Sequence, residues 1–170
     1  METVFENTYT DSVEIIAEIN RKVWDPKRVL WGRDFLAISF FFAVIMVWSK
    51  SWYWGFAAAA CAAYGVYNLY YHQIWAYDLV RKIKKKNNGL IPSATVTVTD
   101  KFIWQYQTTT ISFPFFSLKY AYFLKHTIRM VSEDNAYMTF QRSGFTKGSP
   151  EELEKFISEK CPRAQIIHKE

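Results

Sequence analysis

The sequence predicts an α+β membrane protein, in which a two-helix transmembrane hairpin precedes a small cytoplasmic antiparallel β-sheet or partial barrel capped by a C-terminal helix. Three observations predict it. Of the 43 residues from Phe35 to Tyr77, 34 are hydrophobic; basic residues flank this stretch; and the residues after it alternate between polar and apolar types. A chain of 170 residues excludes a large multi-domain enzyme, and 19% aromatic residues exclude a disordered one.

Two uncharged runs, 35–49 and 51–77, are separated only by Lys50. The second run would form a helix of about 40 Å, longer than the ~30 Å hydrocarbon core, and the first reaches a full span when it is extended back to Val29. Tryptophan and tyrosine collect at both ends, as at membrane interfaces. The alternative, a buried helical hairpin of a soluble protein, would leave too little chain to cover it.

Basic residues outside the two runs predict the orientation. Ten of them flank the hairpin, and only Lys50 lies in its turn. The positive-inside rule therefore places both termini in the cytoplasm of a multi-pass protein of the inner (cytoplasmic) membrane. We divide the chain into an N-terminal cytoplasmic strand–helix (1–28), the transmembrane hairpin (29–77), a basic juxtamembrane helix and linker (78–93) and the cytoplasmic β-rich domain (94–170).

Small side chains line one face of the second run at every fourth residue: Ala57, Cys61 and Gly65. Such faces allow helices to approach closely in lipid. We expect this face to pack inside the hairpin, where the bulky rings of Phe40, Phe41 and Phe42 could fill the space opposite. The same three small residues could instead form a homodimer contact.

The segments outside the hairpin carry helix and strand signals. A strand is predicted at Thr3–Tyr9, followed by a helix from Asp11 to about Trp24, with Asp11 and Glu14 as a capping box. The best helix signal has Ser149 as N-cap, Pro150 and Glu152, with Leu153, Phe156 and Ile157 buried. Further strands are predicted at 95–99, 102–107, 110–113, 116–120, 122–124, 128–131 and 136–140.

Two spans with both termini inside, a β-rich tail and the closing run from Met138 to Phe145 before Ser149–Ile157 resemble the YcxB-like family of bacterial membrane proteins. The C-terminal region of that family is similar to pleckstrin-homology-type (PH-like) domains, and residues 94–158 carry most of the resemblance. It implies the architecture and a structural role for Phe145, Leu153 and Phe156. It implies no enzymatic activity.

No pattern in the chain predicts catalysis, a cofactor or a metal. The glycines form no phosphate-binding loop, and His72, His126 and His168 are far apart. Cys61 and Cys161 form no CxxC pair. Nucleic-acid binding through strand aromatics such as Trp104 and Tyr106 is not expected, because the positive charge lies beside the membrane.

The basic run after the hairpin is the candidate site: Arg81, Lys82, Lys84, Lys85 and Lys86. Its residues set the topology, and they could also contact anionic lipid headgroups. We therefore expect a non-enzymatic protein whose cytoplasmic module binds the bilayer surface or an unidentified protein partner. One alternative is a membrane immunity or stress-response factor that acts through its transmembrane helices. The other is an interfacial lipid-active enzyme, which needs ionisable groups clustered near Asn68, His72, Asp78 and Arg81.

Overall fold

The computed structural model describes residues 4–169, and this part of the chain forms an α+β fold with four helices and two β-sheets. The helices are α1 (Val13–Ile19), α2 (Lys27–Ser49), α3 (Tyr53–Lys86) and α4 (Pro150–Lys160). The strands are β1 (Phe5–Thr10), β2 (Ser93–Val98), β3 (Lys101–Tyr106), β4 (Thr109–Pro114), β5 (Leu118–Leu124), β6 (Thr127–Ser132), β7 (Tyr137–Gln141), β8 (Phe145–Lys147) and β9 (Gln165–Lys169). The α+β class predicted from the sequence is confirmed.

The first sheet contains strands from both sides of the helical hairpin. Its order is β4-β3-β2-β1-β8, with every neighbouring pair antiparallel. Strand β1, which precedes the hairpin, pairs with β2, which follows it, in a register from Phe5 opposite Val98 to Thr10 opposite Ser93. The sequence did not predict this pairing. It places the beginning of α1 and the chain after α3 at the same sheet.

The second sheet has the order β7-β6-β5-β9, and its last pair, β5 and β9, is parallel. The core lies between the two sheets. Val96, Val98 and Phe102 of the first sheet are fully buried in the same apolar cluster as residues of the second. Helix α4 completes this cluster with Leu153 and Ile157. Its predicted cap is confirmed, because the Ser149 hydroxyl accepts a hydrogen bond from the Glu152 backbone N–H at 3.2 Å.

The side chain of Asn7, on β1, joins the two sheets. It is fully buried, and its amide nitrogen donates to the Gln141 carbonyl at 2.7 Å while its amide oxygen accepts from the Gln141 N–H at 3.1 Å. Gly144 permits this approach, since a Cβ there would lie 2.5 Å from the Thr8 carbonyl oxygen. A side chain thus takes the place of a neighbouring strand at the end of β7.

Helices α2 and α3 form an antiparallel pair, joined by a turn in which Lys50 has a left-handed backbone (φ 53°). Their backbones come into close contact at two glycines, because a Cβ on Gly65 would lie 2.9 Å from the carbonyl oxygen of Gly32. Farther along, the Ser39 hydroxyl donates to the Ala58 carbonyl at 2.8 Å.

The expectation that phenylalanines fill the helix interface is wrong for two of the three. Phe40 is 74% exposed and Phe41 is 61% exposed. Their rings lie on the outer surface of the helix pair, whereas Phe35 packs against Tyr64 of α3 with ring centroids 4.6 Å apart. Phe42 instead stacks on Trp54, with ring centroids 5.6 Å apart.

Within residues 4–169, one helix, α2, is long and apolar enough to cross a membrane, and only 6% of its most apolar part is buried. Helix α3 does not meet the same criterion. Its 34 residues include many tyrosines and tryptophans together with Asn68, His72 and Gln73, which lower its hydropathy. The structure therefore confirms two packed helices and one candidate membrane span, while crossing by both helices is not confirmed.

Two local predictions are corrected. Helix α1 is capped by Ser12 rather than by Asp11, because the Ser12 hydroxyl accepts a hydrogen bond from the Ile15 N–H at 3.2 Å. The strands predicted at 116–120 and 122–124 form the single strand β5, preceded by a 3₁₀ turn at Phe115–Ser117. The first predicted strand, Thr3–Tyr9, begins outside the described residues, and β1 starts at Phe5.

We expect Gly65→Ala to destabilise the helix pair although alanine favours helix formation by about 1 kcal/mol over glycine. The added methyl group meets the backbone of Gly32, so the helices must separate, and overpacking of this kind costs about 1–3 kcal/mol. Gly55→Ala is the matched control, because its methyl group meets only the flexible end of Met46. A lower thermal midpoint for Gly65→Ala alone, in detergent, is the expected result; equal midpoints would contradict it.

We expect Asn7→Ala to destabilise the β-domain, because the N–H and carbonyl of Gln141 lose their partners inside the protein. Each unsatisfied buried group costs about 1–3 kcal/mol. Thr8→Ala, at the exposed neighbouring position of β1, is the control and should change stability little. Chemical denaturation of the two variants measures the difference. If Asn7→Ala is as stable as the control, the bridge between the sheets is unimportant.

Candidate functional site

Helix α1 lies between α3 and the second sheet. On one side Ile16 packs against Ala76 and Val80 of α3, and on the other Ile15 and Ile19 pack against Leu124. The Glu18 carboxylate also ties α1 to the turn between β5 and β6, where it accepts hydrogen bonds from the His126 N–H and, at 3.1 Å, from the Thr127 hydroxyl. These contacts hold α1 and α3 against the β-domain and enclose a space between them.

That space, which we call the aromatic cavity, has a volume of about 240 Å³ and is partly open to solvent. Its walls come from β1, α1, α3, β3, β6 and β7, and they are mostly aromatic or aliphatic. The lining residues are Tyr9, Asp11, Ile16, Ile19, Trp24, Trp75, Leu79, Ile83, Trp104, Tyr106, Arg129, Tyr137, Met138 and Thr139. A concave apolar site with a few convergent polar groups is the usual form of a small-molecule site.

Arg129, in the middle of β6, is the cation of the cavity and is only 5% exposed. Its Nη1 donates to the Thr139 hydroxyl, and its guanidinium carbon lies 3.8 Å from the ring centroid of Tyr137 and 5.3 Å from that of Trp24. Its Nε and Nη2 atoms have no hydrogen-bond partner among the described residues. Burial lowers the pKa of Arg129, an effect opposed chiefly by Tyr137 and Tyr9.

A π-helical turn, Asn20–Trp24, continues α1 and ends at the rim of the cavity. Such turns are rare and occur often at functional sites. Trp24 makes edge-to-face contacts with Trp75, at 5.9 Å between ring centroids, and with Tyr137, at 6.0 Å. One aromatic ring thus closes the gap between α3 and β7 above the Arg129 guanidinium.

The opposite wall is formed by Trp104 and Tyr106 of β3, whose rings are stacked. The Trp104 Nε1–H donates to the Tyr9 hydroxyl at 3.1 Å. Burial raises the pKa of Tyr9 to about 12, although the Trp104 hydrogen bond lowers it, so this hydroxyl stays protonated at neutral pH. The strand aromatics considered for nucleic-acid stacking therefore line the cavity and border the core.

Among residues 4–169, Asp11 is the only other charged residue that lines the cavity. It forms no ion pair with Arg129 within 4.0 Å in the described part of the chain. Burial raises the pKa of the Asp11 carboxyl, and the positive charge of Arg129 acts in the opposite direction. The desolvation penalty on this carboxylate is therefore larger than the attraction of the nearby guanidinium.

The predicted basic site, Arg81, Lys82, Lys84, Lys85 and Lys86, lies on the last two turns of α3, and all five side chains are exposed. We call it the basic collar. Lys82 forms an ion pair with Asp78 at 2.6 Å. The three terminal lysines also face the negative end of the helix dipole, which they stabilise. Ile83, on the same turns, points to the aromatic cavity, so one helix segment serves both sites.

The groups required for the interfacial enzyme alternative do not form a cluster. Asn68 and His72 are buried, whereas Asp78 and Arg81 are exposed. The Asn68 amide donates to the Tyr64 carbonyl of its own helix at 2.8 Å. Within residues 4–169, no group of three or more His, Cys, Asp or Glu side chains could hold a metal ion.

Reasoning from the sequence missed Arg129, Asp11 and Tyr137 as a site. A signal for Arg129 was present, since it lies between Ile128 and Met130 in a strand buried almost throughout its length. Charged residues are rarely buried unless they are paired. No comparable signal marked Asp11, because its position before Ser12 and Glu14 resembled a helix cap.

No protein-family model matches the chain, and no curated protein matches it. The geometry of the two sites therefore carries the functional argument.

We expect Asp11→Asn to stabilise the protein at neutral pH. A carboxyl whose pKa is raised by folding opposes folding when it is ionised, and the penalty disappears below the unfolded pKa of about 4. The variant should therefore melt at a higher temperature than the wild type at pH 7, with the difference vanishing as the pH falls below about 4. Melting in detergent between about pH 3 and pH 8 measures this. Lower stability of the variant at pH 7 would mean that Asp11 is a structural partner of Arg129.

Proposed function

We propose that this protein is a non-enzymatic bacterial inner-membrane protein that holds a PH-like module at the cytoplasmic surface, where it binds anionic lipid and an unidentified protein partner. The observation that carries the proposal is the apolar surface of the helix pair, exposed over its length and ending in the basic collar. This combination fits a hairpin in lipid whose cytoplasmic end contacts headgroups.

The exposed apolar side chains support insertion of both helices. They are found on each helix and around the connecting turn: Phe40, Phe41, Val44, Val47, Trp48, Trp52, Tyr53, Phe56, Val66, Tyr67 and Ile74. A surface of this extent on a monomer is covered in the functional state. Helix α3 lacks the hydropathy of α2, but its tyrosines and tryptophans suit the interfacial zones of a bilayer.

Two further observations support the proposal: one concerns the orientation of the hairpin, and the other concerns the architecture of the β-domain. Because β1 and β2 pair, the two outer ends of the hairpin lie at the same sheet, which supports two spans with both termini in the cytoplasm. Two sheets around one core, followed by helix α4, agree with the PH-like architecture that the resemblance to the YcxB-like family implies. Gly65 packs against Gly32 within the chain, so a homodimer through Ala57, Cys61 and Gly65 would require this contact to change.

The lipid part is tested with the full chain and equal amounts of phosphatidylglycerol and phosphatidylcholine. We expect the wild type to retain phosphatidylglycerol preferentially, as counted by native mass spectrometry. At about 1 kcal/mol per basic residue near an anionic surface, losing all five contacts lowers the affinity by more than roughly a thousandfold. Substitution of all five collar residues by glutamine should therefore abolish the preference.

The control removes the same amount of charge elsewhere. It replaces five exposed basic residues of the β-domain with glutamine: Lys101, Lys119, Lys155, Lys160 and Arg163. This variant should keep the preference for phosphatidylglycerol. If the collar variant also keeps it, the basic collar sets topology only and the lipid-binding proposal is wrong.

A further inference from the structure

Three side chains contact the guanidinium of Arg129. The ring centroid of Tyr137 lies 3.8 Å and that of Trp24 5.3 Å from its central carbon, and Nη1 donates to Thr139. The Nε and Nη2 atoms are shielded from solvent and have no partner in the described part of the chain. A buried charge with unpaired donors is costly, and such groups in natural proteins usually serve a purpose other than stability.

The two unpaired atoms have a defined geometry. The Nε–H and one N–H of Nη2 lie along the same edge of the planar guanidinium and point in the same direction. This edge forms two parallel hydrogen bonds with the two oxygens of a carboxylate or phosphate. The ring contacts and the Thr139 hydrogen bond hold the guanidinium in place. Because Nε and Nη2 are shielded from solvent, the side chains beside them must shift for an oxyanion to reach this edge.

The remainder of the aromatic cavity defines the body of the ligand. Trp75 and Leu79 of α3 and Trp104 of β3 supply apolar walls. The volume of about 240 Å³ corresponds to about eight water molecules at the ~30 Å³ that each occupies in the liquid. That space accommodates an aromatic ring or a short acyl chain, and an apolar body there would displace poorly bound water favourably.

We propose that the aromatic cavity binds an organic anion, with a carboxylate or phosphate paired to the Nε–Nη2 edge of Arg129 and an apolar body between α3 and β3. Asp11, the other charged group of the cavity, repels such an anion and sets its position at the Arg129 side. This site uses different residues from the basic collar. The anion-binding proposal can therefore be wrong while the lipid-binding proposal is right, and the reverse.

The test uses the full chain in nanodiscs of phosphatidylcholine, because the β1–β2 pairing makes the isolated tail incomplete. Calorimetry compares indole-3-acetate with indole-3-ethanol, a neutral probe with the same ring. A second arm compares lysophosphatidic acid with monoacylglycerol, so that a soluble source and a lipid source of the anion are distinguished. We expect at least one acid to bind at least tenfold more tightly than its neutral partner. Failure of both acids to bind overturns the proposal.

Variants locate the binding. Arg129→Met should lower the affinity for the acid at least tenfold. Arg129→Lys should also lower this affinity, because a lysine keeps the charge but loses the two-donor edge. Asp11→Asn should strengthen binding, since it removes the repelling carboxylate. Unchanged affinity in Arg129→Met would overturn the proposal.

Thermal stability without a probe separates binding from a structural role. Removing an unpaired buried charge should leave Arg129→Met at least as stable as the wild type. If this variant fails to fold, Arg129 has a structural role. Two measurements then still test the proposal: the preference of the wild type for the acid over the neutral probe, and the affinity of Arg129→Lys for the acid.

Discussion

The pairing of β1 with β2 and β8 is the constraint on which the rest of the structure depends. The chain leaves the first sheet at Thr10, passes through α1, α2 and α3, and returns to the same sheet at Ser93. A strand between two neighbours cannot be withdrawn without breaking both ladders and the Asn7 bridge to β7. The helix pair is consequently fixed to the β-domain at both ends, and α1 is held where it can contact α3 and the second sheet together. The aromatic cavity exists because of this arrangement.

Much of the fold could be predicted because its signals are local. The alternation from Thr95 to Thr99 and the Ser149–Pro150 cap depend on neighbouring residues, and both elements form as predicted. Strand β9 was missed because its pairing with β5 joins residues far apart in the chain. The β1–β2 pair was missed for the same reason, since about 80 residues of unrelated pattern separate the two strands, and no residue-level periodicity reports contacts over that distance.

The basic collar and the aromatic cavity also differ in whether their residues are neighbours in the sequence. The basic collar is a continuous run, so the sequence displays it directly. The aromatic cavity collects one to three residues from each of six elements, and only Arg129 carried a signal, as a charge within an apolar strand. Asp11 was misassigned because an acidic residue before a helix has a common structural role. In the structure Ser12 caps α1, and Asp11 lines the cavity.

Helix α3 connects the two proposed sites. Trp75, Leu79 and Ile83 recur at four-residue spacing and line the cavity, while the collar residues of the same turns face outward. Because residues four apart share one face of a helix, any rotation or shift of α3 that accommodates an anion beside Arg129 also moves the collar. Trp24 lies against Trp75 and above Arg129, so it contacts both the helix and the cation. If both proposals hold, the occupancy of the cavity and the contact with anionic lipid act on one rigid element, and each would bias the other.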